Sequence, residues 1–94
     1  MADRTTILEC IYTAINETNE MLPAESRLEP QESEKVTGEE AKIDSLGFVT
    51  LLVAIEREVE AKTGGCPNLA EELTEADVEL TTIGDIAGFI SERT

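Results

Sequence analysis

One helix-forming segment of this chain carries two apolar stripes, and a domain of this size can turn only one of them into its core. Between Ser45 and Ala61, the residues Phe48, Leu51, Leu52, Ile55 and Val59 recur at helical spacing and mark a core face. Leu46, Val49 and Val53 fall outside it, in a narrower stripe in line with Glu56 and Glu60. A two-sided helix either makes a second internal contact, such as beneath a long loop, or presents a docking surface. The segment stops before Gly64-Gly65, a usual helix end.

The remaining elements follow from the same periodicity. A first helix is expected over residues 6–20, opened by Thr6 with Glu9 three positions on and lined by Ile7, Leu8, Ile11, Ala14 and Ile15. Pro23 disfavours helical geometry in the residue before it and ends the segment. Residues 23–42 form a long polar connection in which only Leu28 and Val36 are sizeable anchors, so these two are expected to pin it to the core. Thr37 and Glu40 have the spacing of a short capped turn, which Gly38 weakens. Residues 68–80 hold Leu69, Leu73, Val78 and Leu80 and read as one or two short helical segments. A last helix starts at Thr82 with Asp85 as its capping partner and carries Ile83, Ile86, Ala87, Phe89 and Ile90 through Ser91. With no period-2 segment, the expected fold is all-α: a small four-helix bundle with a long loop between helices 1 and 2, one domain over residues 1–94 with its core in 6–92.

Charge narrows the functions open to such a bundle. Seven Lys and Arg stand against 21 Asp and Glu, a formal net charge of −14, which repels phosphate backbones and anionic lipid heads. Nucleic acid and membrane surfaces are poor partners, whereas basic patches on proteins are good ones, with salt-sensitive association. The two cysteines, Cys10 and Cys66, make neither a disulfide framework nor a zinc motif and read as free thiols. The first six residues lack a charged-then-apolar leader pattern, and no apolar run approaches the roughly 20 residues of a membrane span, so a cytoplasmic protein is expected.

Catalytic chemistry finds little to work with. The chain has no histidine to activate a serine, and Lys35, Lys42 and Lys62 lie in polar or terminal stretches rather than in a pocket that would depress an ammonium pKa. The acids from Glu39 to Asp44 miss the calcium-loop pattern, which needs a glycine at its sixth position, so no metal site is expected. What stands out is Ile43-Asp44-Ser45-Leu46, where the polar loop meets the two-sided helix. Asp44 or Ser45 caps that helix, and a serine at a helix start sits where free amides and the dipole favour an attached phosphodiester.

Asp44-Ser45-Leu46 opening an apolar helix, the amphipathic first helix, the long loop and the closing Thr81-Thr82-Ile83-Gly84-Asp85-Ile86 together resemble the acyl carrier protein family. The resemblance covers residues 6–92 and implies a non-catalytic carrier, which has no need to be more than a monomer. Ser45 would be the attachment point of a phosphopantetheine arm that holds an acyl or aminoacyl group as a thioester. Asp44 would assist recognition by a phosphopantetheinyl transferase, which uses magnesium in its own site. Leu46, Val49 and Val53, with Glu56 and Glu60, would form the face gripped by that transferase, by an acyl- or aminoacyl-activating ligase and by downstream transferases. Phe48, Leu52 and Ile55 would line whatever space an acyl chain enters.

The chain also departs from the family pattern. Carriers of fatty acid synthesis often place acids where Gly47 and Thr50 stand here, Arg57 adds a cation to the same helix, and residues 68–80 exceed the usual third-helix region. These features resemble stand-alone carriers of a specialised pathway. The competing reading from the residues alone is an acidic helical interaction module in which Ser45 is only part of a cap.

Overall fold

The computed structural model describes residues 3–37, 41–65 and 81–93. They form helix α1 (Arg4–Asn19), a 3-10 turn (Ala24–Ser26), helix α2 (Ser45–Thr63) and helix α3 (Ile83–Arg93). No strand occurs among the described residues; an isolated antiparallel bridge pairs Lys35 with Thr82. The radius of gyration, 12.1 Å, matches the roughly 12 Å of a compact chain of this length. The expected third helix over 68–80 and the expected turn near Thr37 and Glu40 fall on or run into residues outside those described. The described residues therefore form an all-helical architecture, with three helices among them. No helix among the described residues is long and apolar enough to cross a membrane.

Helix α1 packs against both α2 and α3. Its face of Ile7, Ile11, Ala14 and Ile15 is fully buried. Leu51, Ile55 and Val59 of α2 meet it, and α3 supplies Ile83, Ile86, Ala87 and Ile90. Each of the larger side chains contributes about 1.5–3 kcal/mol by leaving water. Phe48, expected in the core, packs only partly buried at its edge.

The start of α1 corrects the sequence reading. Thr6 lies inside the first turn, and the cap is Asp3, whose extended backbone (φ −78°, ψ 161°) lets its Oδ1 accept from the Thr6 amide at 2.9 Å. A cap must be non-helical, a condition that residue spacing alone does not reveal. At the other end Asn19 closes the helix by turning outward. Its Nδ2 donates to the Leu28 carbonyl at 2.9 Å and its Oδ1 accepts from the Leu28 amide at 2.8 Å. Leu28 and Val36 are buried as expected, and Ile43 joins them.

The long loop is held at a second point by a buried acid. Glu34 is 7% exposed; its carboxylate takes the Glu29 amide and pairs with Lys42 Nζ at 3.0 Å. Its carbonyl accepts from the Ile83 amide at 3.0 Å, while the Glu32 carbonyl takes Gly84 at 2.9 Å. Those are first-turn amides of α3 that no intrahelical carbonyl can reach. A Cβ on Gly84 would lie 3.3 Å from the Glu32 carbonyl, so any larger residue would push the loop back by a few tenths of an ångström. Arg4 ties α1 to the seam through Glu32 at 2.5 Å. At the far end of α2, Gly64 adopts a left-handed conformation (φ 86°) and donates to the Glu60 carbonyl.

The α3 start forms as the sequence predicts. Thr82 Oγ1 accepts from the Asp85 amide at 3.2 Å, and Asp85 Oδ2 accepts from the Thr82 and Thr81 amides at 3.1 Å each. The Thr82 amide, and next the Thr81 amide, hold the Asp85 carboxyl below the usual carboxylate range. Its stabilising effect is therefore complete above that range and is lost as pH falls through the lowered value. Asp85→Ala should cost about 1 kcal/mol or less at neutral pH, since the group is solvent-screened. Urea-unfolding midpoints of variant and wild type should converge as the buffer is taken below about pH 4.

Candidate functional site

Helix α2 begins where the loop delivers it. Asp44, extended at φ −89° and ψ −174°, caps it, its Oδ1 accepting from the Gly47 amide at 2.9 Å and its carbonyl from Phe48 at 2.9 Å. Ser45 is the first helical residue, at the positive end of the helix dipole. Buried Ile43 before the cap and Phe48 four positions into the helix hold the places of a hydrophobic staple, which sets the angle at which the chain enters. Gly47 has a packing reason: a Cβ there would stand 3.0 Å from the Ile43 Cβ. An acid at this position would have to displace the side chain that anchors the helix start.

The second stripe of α2 is at the surface. Leu46 is 74% exposed, Val49 46% and Val53 44%, so it does not pack beneath the loop. Glu60 is exposed and Glu56 half-buried on the same helix. The structure thus keeps Leu46, Val49 and Val53 together on the helix that Ser45 opens, while Asp44 is engaged as the cap.

Beside the stripe lies a feature the sequence did not reveal. A surface groove of about 390 Å³ separates the end of α1 from the middle of α2. On the α2 side Val49, Val53 and Ala54 make its apolar wall, joined by Thr50 and Arg57; Glu17, Thr18 and exposed Met21 form the opposite wall. The Thr50 hydroxyl is committed to the Leu46 carbonyl at 2.9 Å. Arg57 makes no hydrogen bond or ion pair among the described residues. Thr18 is fully buried and its Oγ1 has no hydrogen-bond partner among the described residues. The only sequence signal for this groove was Thr18, a polar residue continuing the Ile7, Ile11, Ala14, Ile15 stripe.

Charge around the groove is uneven. Burial, and then the neighbouring Glu17 carboxyl, push the Glu58 carboxyl above the usual glutamate value, partly opposed by Arg57. Cys10 is buried in the same region, its Sγ donating to the Glu58 carbonyl at 3.7 Å, and burial pushes its thiol up. No group of three or more His, Cys, Asp and Glu among the described residues is arranged to hold a metal ion.

Two stability measurements follow. Thr18→Val keeps the branched shape and removes an unsatisfied buried hydroxyl, so it should raise the unfolding free energy by about 1 kcal/mol, read by urea denaturation. Because the folded Glu58 binds its proton more tightly than the unfolded chain does, stability falls as pH rises through its raised value. Glu58→Gln should therefore melt higher than wild type at pH 7, with the difference vanishing below the ordinary glutamate range, where both states are protonated.

No protein-family model, curated protein or solved structure matches this chain.

Proposed function

We propose that this chain is a carrier protein, not an enzyme, which accepts a phosphopantetheine arm on Ser45 and presents an acyl or aminoacyl cargo to partner enzymes in a specialised biosynthetic pathway. The observation that carries this reading is the pairing of a serine at the first position of a capped helix with three exposed apolar side chains farther along the same helix.

The residues at the helix start fit the group. Ser45 offers the attachment position, and the positive end of the α2 dipole favours the phosphodiester that the linkage leaves there. Asp44 fixes the serine's place by holding the Gly47 amide, and the buried Ile43 keeps the first turn docked on the core. Phosphopantetheine supplies a terminal thiol on which acyl or aminoacyl groups are carried. Leu46, Val49 and Val53 give partners an apolar grip, and Glu56, Glu60 and the net charge of −14 draw surfaces rich in Lys and Arg. A tethered cargo reaches each partner's active site at high effective concentration, so contacts can stay weak enough to exchange.

A second reading rests on the same exposed stripe: an acidic helical module that binds an amphipathic partner segment, with Ser45 no more than the first residue after a cap. The two separate on one substitution. Incubated with coenzyme A and a broad-specificity phosphopantetheinyl transferase, wild type should gain one adduct mapping to Ser45, and Ser45→Ala should gain none while unfolding within about 0.5 kcal/mol of wild type. A folded wild type that gains no adduct beside a control carrier that does would favour the interaction module.

A further inference from the structure

We infer that the groove between α1 and α2 is a resting site for the Ser45-linked arm. The inference rests on the carrier reading and adds to it a place on this chain where the arm lies when no partner is engaged.

Register comes first. Ser45, Val49, Val53 and Arg57 are successive i+4 positions, one continuous ridge along α2. The last three line the groove. The ridge that begins at the attachment residue is therefore the groove's own wall.

Length agrees with register. Twelve residues separate Ser45 from Arg57, about 18 Å at a rise of about 1.5 Å per residue. A phosphopantetheine arm has about 14 bonds from the serine oxygen to the thiol sulfur, roughly 17 Å when extended at the reach per bond of a peptide chain. An arm laid along the ridge brings its thiol to the level of Arg57, so the groove ends where the arm does.

Chemistry selects this occupant over a simple anion or lipid. The volume of about 390 Å³ lies in the range of small-molecule sites. Val49, Val53 and Met21 offer apolar contact for a branched dimethyl carbon. Both charges are present: Arg57 can donate to amide carbonyls, and Glu17 can accept from amide N–H groups or a hydroxyl. A fatty acid or phosphate would satisfy Arg57 but meet Glu17 as a like charge, whereas a neutral chain with two amides and a hydroxyl uses both. The apolar wall is also the face proposed for partner docking, so a partner that covers Val49 and Val53 displaces the arm as it binds.

The test compares unloaded and loaded protein by methyl and amide NMR after intact mass has shown the Ser45 adduct. Loading should shift the Val49, Val53 and Met21 methyls and the Thr18 amide, and give cross-peaks from the arm's dimethyl carbon to the Val53 methyls. In loaded Met21→Asp and Arg57→Glu, both substituted at exposed positions outside the face assigned to the transferase, the Val53 and Thr18 shifts should fall by at least half with the adduct retained. An adduct on Ser45 with perturbations confined to residues 44–48 would overturn the resting site and leave the carrier reading standing. Failure of wild type to gain an adduct would overturn both.

Discussion

The fold depends on a seam in which an irregular loop completes a helix. Carbonyls of Glu32 and Glu34 accept the first free amides of α3, and the Asp85–Thr82 pair satisfies the next. Without that seam α3 would begin with unmet donors, and a loop this long would have little reason to hold one path. The described parts of the loop are tied there, at Leu28 through Asn19 and at Glu34 through Lys42, one residue before Ile43. The start of α2, with Ser45, follows directly after that tie.

Some of this was legible in the chain and some was not. The α2 and α3 helices, the Thr82–Asp85 capping pair, the Gly64 stop and the loop anchors Leu28 and Val36 could be read directly, because each depends on residues close in sequence or on a large apolar side chain in a polar stretch. The start of α1 was misplaced because Thr6 and Glu9 match a capping pattern, while the choice of cap depends on backbone angles at Asp3. The loop's polar bonding was hidden for another reason. Glu34 looks like one acid among many in an acidic segment, and only its position beside Lys42 and the Glu29 amide makes it a structural residue.

The candidate site divides along the same line. The exposed stripe was visible as a helical phase that did not fit the core, and the structure leaves Leu46, Val49 and Val53 in solvent. The groove was not visible, since a groove belongs to the space between two helices and neither sequence segment records it alone. On the α1 side it is built from Glu17, from Met21 just beyond the helix, and from Thr18, which interrupts an apolar row.

Arg57 has a consequence for partner selection. The chain carries 21 acids, yet the turn of α2 beyond Val53 presents a guanidinium that makes no ion pair among the described residues. A partner that attracts acidic helices by lining its cleft with cations would meet repulsion at that turn, since juxtaposed like charges disfavour a complex. The net charge of the molecule would draw many basic surfaces to it from a distance. One cation at that turn would count against those that line their docking cleft with cations.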